Sequence, residues 1–409
     1  MSNARRWTIV CLLSLGMIIA YVDRSNLSVA LADKSFIKEF SLSDSDRGLM
    51  NSAFFWSYAL LQIPAGFLVD RFGLKFPYAM GFAMWSLVSA ASAGITGIGQ
   101  LVGLRVALGV GEAVVTPASL RWIRFNIDEK QRGLAVGLYM AGTKLGPAIG
   151  APMAAYLVLN YGWRNMFVIL GLGCLLWLIP WLTLVKNNDL ELEAQMVKAT
   201  KMKPISFGRL FSTRLIWGII IGTFCYNYFV YFCMTWLPAY FAESRGLTLG
   251  KSGAFTGFSF GGMATVATLA GWWADRIIAR GGDPVQTRKW FTVAGLLVAS
   301  TELIGAFAES NDVALGFAIV SLSGLGLATA NYWALTQTLM PGAAIGRIAG
   351  IQNMASNMSG IVAPIMTGWL KTVTGSYAAP MYMVGALLLT GVLAYTFMVH
   401  AKYAPTAGD

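Results

Sequence analysis

Long apolar segments separated by short polar breaks recur along the whole chain. Each is close to the roughly 20 residues that a helix needs to cross about 30 Å of hydrocarbon, and none alternates with the period of a barrel strand. The pattern therefore predicts an all-α integral membrane protein with twelve transmembrane helices. The predicted spans are residues 7–31, 47–69, 76–96, 98–120, 134–159, 165–185, 215–241, 252–274, 290–308, 313–339, 348–370 and 377–399.

A polar stretch near the middle of the chain, residues 186–214, predicts a cytoplasmic linker with a short amphipathic helix around its LELEAQMVK segment. On either side of it, the same motifs recur in the same order. GFLVDRFG from Gly66 returns as GWWADRII from Gly271, and GVGEAVV from Gly109 returns as GLGLATA from Gly324. This repeat predicts two six-helix halves with pseudo-two-fold symmetry, residues 1–185 and 215–409.

Composition agrees with this prediction, because 56% of the residues are hydrophobic and only 12% are charged, against roughly 25% charged residues in soluble domains. In the polar breaks, twenty Lys and Arg residues lie on the side of the N-terminus and seven on the other. Positive residues favour the cytoplasmic side, so both termini are expected there. The net charge of +11 is mostly this asymmetry, and without a basic stripe outside the membrane we expect no nucleic-acid partner.

Metal and catalytic centres have no support in the sequence. The four cysteines fall within apolar segments and have neither disulfide-framework nor zinc-site spacing, and a single histidine, His400, cannot form a metal site. No nucleophile and base are clustered as catalysis requires. We therefore expect no enzyme activity, no metal and no cofactor. The cysteines are Cys11, Cys174, Cys225 and Cys233.

Ionisable residues inside the predicted spans are concentrated in the first half. A charge at a helix centre costs about 2.5 to 3.5 kcal/mol on an insertion scale, so such residues are functional candidates by default. For Asp23 and Arg24 the alternatives are solvation near the outer surface or a pair that braces helix packing. In the second half only Glu302 lies deep in a span, and we assign it no role. The candidates of the first half are Asp23, Arg24, Arg105, Glu112 and Lys144.

Arg105 and Glu112 are seven residues apart and thus share one helix face, about 10 Å apart along its axis. They form either a static ion pair or a carboxyl group that changes protonation as its neighbours move. Lys144 lies in a segment where Gly142, Gly146 and Gly150 recur at every fourth residue, which predicts a close-packed helix face. Lys144 itself points into a cavity or extends to a membrane interface.

These charges favour an anionic solute, because a planar guanidinium can bind both oxygens of a carboxylate. In the second half, neutral polar residues suit hydroxyl groups, although each alone is more often part of helix packing. Together they indicate a hydroxylated organic anion. These residues are Asn227, Tyr228, Tyr231, Asn331, Trp333, Asn353 and Asn357.

The segment GFLVDRFGLKF, residues 66–76, resembles the signature between spans two and three of the major facilitator superfamily. Within that superfamily, YVDRSNLSVA, FFWSYALLQIPAG and RVALGVGEA resemble the anion:cation symporters. That group includes bacterial hexuronate, galactonate and glucarate transporters and animal vesicular or lysosomal organic-anion carriers. The signature positions, which the resemblance implies act in gating, are Gly66, Asp70, Arg71, Gly73 and Lys75.

The resemblance also implies roles for residues of the spans. Arg24 binds the substrate carboxylate with help from Tyr21 and Tyr58. Asp23 and Glu112 couple transport to protons, with Arg105 as the partner of Glu112. In the second half, Trp333 and Asn353 contact the sugar-acid chain. Lys144 departs from the sugar-acid members, in which a Gln occupies this region, so it either holds the second carboxylate of a diacid or changes the proton requirement.

The function expected from the sequence is symport of protons with an organic acid anion, most readily a sugar acid. The carrier imports its substrate by alternating access, as a monomer in the bacterial inner membrane, with the bilayer and the anion as its only partners. The candidate binding set is Tyr21, Arg24, Tyr58, Lys144, Tyr231, Trp333, Asn353 and Asn357. The alternatives are a proton-driven drug exporter and a membrane receptor that does not transport.

Overall fold

The computed structural model describes residues 2–186, 207–340 and 345–404, and the helices in these ranges confirm the all-α prediction. Every predicted span falls on one or two helices. The helices of the first half are α1 (Asn3–Ala30), α2 (Lys34–Phe40), α3 (Asp44–Phe72), α4 (Lys75–Ala91), α5 (Ile98–Glu112), α6 (Val115–Asn126), α7 (Glu129–Cys174) and α8 (Leu178–Leu184). Those that follow are α9 (Phe207–Phe211), α10 (Arg214–Glu243), α11 (Leu249–Ala279), α12 (Pro284–Ala299), α13 (Glu302–Phe307), α14 (Asn311–Leu339), α15 (Ile345–Thr374) and α16 (Ala378–Phe397).

Cα proximity divides the chain into two compact units. The first contains Met1–Lys201 and Thr235–Gly257, so it includes the last turns of α10 and the first turns of α11. The second contains Met202–Met234 and Phe258–Asp409. The amphipathic helix predicted within the linker lies outside the described residues.

Six helical segments of the described chain are long and apolar enough, by length and composition alone, to cross a membrane. This criterion omits α4 and α12, which have 17 and 16 residues, and α3, α11 and α15, which carry more Gly, Ser, Asn or charged positions. Small and polar residues on bundle helices serve packing between helices rather than contact with lipid. The six segments are Asn3–Ala30, Ile98–Asn126, Gln131–Leu184, Arg214–Glu243, Asn311–Leu339 and Ala378–Phe397.

Helix α7 packs closely along α1 through the predicted glycine face, which is thereby confirmed. A Cβ atom added to Gly142 would lie 2.9 Å from Met17 Cγ, and one added to Gly150 would lie 2.9 Å from Val22 Cα. A Cβ atom on Gly146 would collide with Tyr21 Cβ. The two backbones therefore approach to a distance that only glycine permits.

The helical backbone has three breaks that bear on the predicted spans. The first lies between two predicted spans, and the other two each lie inside a single predicted span. Gly162 has φ +80°, and this turn separates the two predicted spans that helix α7 covers. Between α5 and α6 the break follows Glu112, because Pro117 has no N–H to donate to the carbonyl of Ala113. A third break at Ser300 and Thr301 divides the ninth predicted span into α12 and α13.

The short helix α2 lies in the polar break between the first two predicted spans, for which no helix was predicted. Its residue Glu39 accepts hydrogen bonds from Trp163 Nε1 at 3.1 Å and Arg164 Nη1 at 3.1 Å, and pairs with Arg164 Nη2 at 2.8 Å. These bonds, chiefly those from Arg164, hold the pKa of Glu39 below its usual value. The contacts fix α2 against the turn at Gly162.

Arg47, the first residue of the second predicted span, is almost fully buried in the first unit. Its Nη1 atom lies 2.7 Å from Asp44 Oδ1 and 2.7 Å from Glu243 Oε1, and its guanidinium lies 4.9 Å from the ring of Trp236. This network attaches the end of α10 to the start of α3.

In the second unit, buried polar side chains form hydrogen bonds both within a helix and between neighbouring helices. Glu302 accepts a bond of 2.6 Å from Ser321 Oγ, and Asn331 Nδ2 donates to Leu327 O at 2.8 Å. Lys289 is buried on α12 and donates to Thr396 O at 2.8 Å. Burial, followed by the nearby charge of Lys289, lowers the pKa of His400, whose Nε2 lies 3.1 Å from Lys289 Nζ.

Candidate functional site

The centre of the candidate site is an ion pair between α1 and α5 inside the first unit. Arg24 Nε donates to Glu112 Oε2 at 2.8 Å, and Arg24 Nη2 lies 2.7 Å from the same oxygen. The two side chains are 3% and 0% exposed. Because both charges have left water, the desolvation cost is compensated only while the pair remains intact.

Three aromatic rings surround the Arg24 guanidinium. Its central carbon lies 4.4 Å from the ring centre of Tyr21, 4.5 Å from that of Phe54 and 4.6 Å from that of Tyr58. The electron-rich faces of the rings stabilise the cation, and the rings hold the planar group in one orientation. The sequence prediction included Tyr21 and Tyr58 but missed Phe54, although the aromatic run FFWSY of α3 was a signal for it.

Asp23 is buried next to Arg24 but is not its ion-pair partner in the described structure. Ser89 Oγ on α4 and Asn26 Nδ2, at 2.8 Å, both donate to Asp23 Oδ1. The other oxygen, Oδ2, has no hydrogen-bond partner among the described residues. Burial of Asp23 and Arg24, at 1% and 5% exposure, contradicts the alternative in which they are solvated near the surface. Ser89 was not identified from the sequence.

The expected pair between Arg105 and Glu112 is not formed. The carboxyl group of Glu112 is bonded to Arg24 instead, whereas Arg105 lies 5.6 Å from the ring of Phe54 and its Nε has no hydrogen-bond partner among the described residues. The shared helix face placed Arg105 and Glu112 in one cluster of charged residues, which also contains Asp23 and Arg24. It did not determine which cation approaches the carboxylate from the neighbouring helix.

With all four groups ionised, Arg24 and Arg105 balance Asp23 and Glu112, so the cluster has no net charge. Protonation of one carboxylate would leave one excess positive charge, and protonation of both would leave two. An anion with bidentate oxygen atoms could then replace a carboxylate at a guanidinium. The arrangement can therefore link anion binding to proton binding.

Gly146 couples helix packing to this site, because its missing side chain makes room for Tyr21. We expect Gly146→Ala to displace α1 and to lower the melting temperature by several degrees, since overpacking costs about 1–3 kcal/mol. The purified variants would be compared by thermal unfolding.

Gly137→Ala, in the same helix, is the matched control, because an added Cβ meets no atom within 4 Å there. It should leave the melting temperature unchanged or raise it, since Ala favours a helix more than Gly does. Equal melting temperatures for the two variants would contradict a close-packed face at Gly146.

Lys144 lies two residues from both Gly142 and Gly146, which places it about 200° around α7 from the face that contacts α1. It is half-buried. In the second unit, Tyr231 and Asn357 are buried, while Trp333 and Asn353 are half-buried. The binding roles of these second-unit residues stay predictions.

The segment between α3 and α4, which carries the signature positions, turns at Gly73. Gly73 follows α3 with φ +77°, a conformation that favours glycine. Lys75 Nζ donates to Leu182 O at 2.7 Å, and the Arg71 guanidinium lies 5.4 Å from the ring of Phe72. The Asp70 side chain lies outside the described part of the chain. In that part, no group of three or more His, Cys, Asp or Glu residues could hold a metal ion.

The chain matches the family model described as the Major Facilitator Superfamily over residues 13–364. It is 30% identical over 405 residues to a probable L-galactonate transporter of Escherichia coli strain K12, covering 96% of this chain and 89% of that protein. It is 30% identical over 447 residues to a probable galactarate/D-glucarate transporter of the same strain, covering 100% of this chain and 97% of that protein.

The fold is also similar to that of solved transporters. A bacterial homologue of the human lysosomal transporter Spinster, in an inward-facing and occupied conformation, aligns with a TM-score of 0.79 at 16% identity. The alignment covers 99% of this chain and 98% of that one. The similarity supports twelve helices in two halves as the fold.

Proposed function

Because the chain belongs to the major facilitator superfamily, and is thus a multi-pass membrane transporter rather than an enzyme, we propose that it imports a sugar acid anion together with protons. The proposed setting is a bacterial inner membrane with both termini in the cytoplasm. The substrate class is a hexuronate, an aldonate or an aldarate. Relatives that are 30% identical to this chain are named as probable transporters of galactonate and of galactarate and glucarate.

The observation that carries this proposal is the Arg24–Glu112 pair. The rings of Tyr21, Phe54 and Tyr58 surround its guanidinium. A guanidinium held in one orientation is suited to the two oxygens of a carboxylate. The substrate carboxylate and Glu112 would compete for the same donors on Arg24. Protonation of Glu112 weakens its bond to Arg24 and favours the substrate, so substrate and proton occupy the carrier together.

Alternating access then couples the movement of the proton to that of the anion. A proton and the anion bind from outside, the carrier reorients, and loss of the proton restores the Arg24–Glu112 pair and displaces the anion inside. Asp23 provides a second group that can bind a proton. One proton per monovalent anion moves no net charge, whereas each additional proton gains about 2.3 kcal/mol per 100 mV of inside-negative potential.

Uptake into proteoliposomes tests the proposal. We expect radiolabelled galactonate or glucarate to accumulate when the outside is acidic, and the accumulation to collapse when a protonophore removes the pH gradient. Lipophilic cations should neither compete with uptake nor stabilise the purified protein. Stabilisation by such cations without uptake of sugar acids would instead favour a drug exporter, and anion binding without uptake would favour a receptor.

The same assay addresses Lys144, which we propose as the partner of a second carboxylate. Lys144→Gln should weaken competition by aldarates about tenfold and leave competition by aldonates unchanged, because only the diacid loses an ionic contact. An equal change for both classes would contradict that role.

A further inference from the structure

We propose that the basic residues around Tyr403 form a binding site for the phosphate headgroup of an anionic phospholipid. The site lies in the second unit, at the end of the bundle where α10 and α12 begin and α16 ends. Such a site binds the surrounding bilayer rather than the transported solute, so it goes beyond the proposed function. Its basic residues are Arg214, Lys289, His400 and Lys402.

Tyr403 lies beside two exposed cations. Helix α16 ends at Phe397, and the short turn Ala401–Tyr403 brings the phenol against the start of α10. The central carbon of the Arg214 guanidinium lies 5.3 Å from the centre of the Tyr403 ring, and Lys402 Nζ lies 4.9 Å from it. Arg214 Nη1 also donates a long bond of 3.4 Å to the Tyr403 hydroxyl group. The phenol therefore holds two positive groups close together.

Lys289 and His400 extend this positive region into the bundle. The ring centre of His400 lies 6.0 Å from that of Tyr403, and its Nε2 atom lies 3.1 Å from Lys289 Nζ. Lys289 is 2% exposed, and its ammonium group donates to Thr396 O at 2.8 Å. Because a carbonyl and an imidazole carry no negative charge, these contacts do not neutralise the ammonium group. Lys289 is thus a third cation next to the phenol.

No carboxylate pairs with these cations among the residues that the structure describes. Two acidic residues are described at this end of the second unit, and both have partners of their own. Asp275 Oδ1 lies 2.8 Å from Arg288 Nη2. Asp283 accepts a bond of 2.7 Å from Gln286 N at the start of α12. The positive charge around Tyr403 therefore favours an anion from outside the chain.

Exposed tryptophans mark this end of the bundle as the level of the lipid headgroups. Trp217 on the first turn of α10 and Trp290 on the second turn of α12 are 48% and 54% exposed. Trp217 follows Arg214 by three residues, and Trp290 follows Lys289 directly. Tryptophan favours the membrane–water interface, because its ring is apolar and its N–H group is polar. The basic residues therefore lie at the depth of the lipid phosphates.

A phosphate diester with a net negative charge fits this arrangement. The guanidinium of Arg214 offers several N–H donors to phosphate oxygens, the Lys402 ammonium group adds a point charge, and the Tyr403 hydroxyl group can donate as well. Basic pockets between transmembrane helices bind anionic headgroups in this way. Phosphatidylglycerol keeps the full negative charge of its phosphate. The choline cation of phosphatidylcholine cancels that charge, so we expect this lipid to bind weakly.

Thermal unfolding of the purified full-length protein in detergent tests the site, with added phosphatidylglycerol or phosphatidylcholine as the probe. Phosphatidylglycerol should raise the melting temperature by several degrees, because a ligand of the folded form stabilises it. Phosphatidylcholine should raise it by less than half as much. Equal stabilisation of the wild type by the two lipids would contradict a site for an anionic headgroup.

Two variants locate the site, Arg214→Gln and Lys402→Gln. In each, the concentration of phosphatidylglycerol that gives half of the stabilisation should rise about fivefold, since each basic residue near an anionic headgroup contributes about that factor. The double variant should respond equally to the two lipids. Should Arg214→Gln fail to fold, Lys402→Gln decides the outcome, because Lys402 lies beyond the end of α16.

Arg280→Gln is the matched control. Arg280 is exposed just after α11, at the same end of the second unit, and the substitution removes the same charge. Its half-stabilising concentration should stay within twofold of the wild type. The site is overturned if Arg280→Gln weakens the response as much as Arg214→Gln does, or if the double variant responds as the wild type does. Equal stabilisation by inorganic phosphate alone would assign the cations to a free anion and overturn the lipid site. Because no transport is measured, each of these outcomes is independent of the proposed function.

Discussion

Replacement of Arg24 by Ala is expected to weaken substrate binding at least about a hundredfold and to abolish uptake. The variant loses two charge-assisted hydrogen bonds, each contributing about 1.5–3 kcal/mol, and 1.4 kcal/mol corresponds to a factor of ten in the dissociation constant. It also leaves Glu112 buried without its partner, which costs stability of about 3–5 kcal/mol. Binding would be measured by calorimetry on purified protein, and folding by thermal unfolding.

Two further variants separate binding from folding. Arg24→Lys keeps the charge but lacks the planar group, so it should fold and still bind substrate at least tenfold more weakly than the wild type. The double variant with Arg24→Ala and Glu112→Gln removes the unpaired charge and should recover stability without recovering binding. If Arg24→Ala binds the sugar acid with wild-type affinity, the carboxylate site lies elsewhere in the protein.

Replacement of Glu112 by Gln should reduce accumulation driven by a pH gradient to background while permitting substrate exchange. Gln has nearly the same shape as Glu and keeps an oxygen that accepts a bond from Arg24, but it cannot bind and release a proton. The variant resembles the protonated state, so it should bind substrate at least as tightly as the wild type. Uptake and counterflow in the same proteoliposome preparation provide the two measurements.

The pH dependence supplies a second criterion for Glu112. In the wild type, initial uptake should rise as the external pH falls, because substrate competes better for Arg24 when the carboxyl group is protonated. In Glu112→Gln, substrate binding should not vary with pH over the same range. Asp23→Asn is the comparison, since Asp23 is bonded to Ser89 and Asn26 rather than to the substrate-binding guanidinium. Normal accumulation by Glu112→Gln would contradict its coupling role.

The helices were predictable because a span depends on local composition alone. Each apolar segment must satisfy its backbone groups internally, so its length and hydropathy identify it as a helix. The close approach of α7 to α1 was predictable for a similar reason, since glycine at every fourth residue forms a face without side chains. The breaks after Glu112 and at Thr301 were missed, because each is a short interruption between apolar residues that carry the predicted span across it.

For the candidate site, the sequence was sufficient to identify the charged residues but not their partners. Arg24, Asp23 and Glu112 were conspicuous because charges are rare within apolar segments. Phe54 and Ser89 were not, since an aromatic ring or a hydroxyl group is common in any bundle helix. Arg47 stands at the end of a predicted span, where a charge is common, and its burial depends on Glu243 and Trp236, which are almost two hundred residues away in the chain.

The sequence by itself determined the twelve helices, the two-fold repeat and the set of buried charges, because hydropathy and spacing act along one chain segment at a time. Only the tertiary structure decided that Glu112 binds Arg24 rather than Arg105, and that Ser89 on α4 donates a hydrogen bond to Asp23 on α1. Such contacts depend on the rotation and register of neighbouring helices. Those quantities are set by side-chain packing over the whole bundle, and no single segment specifies them.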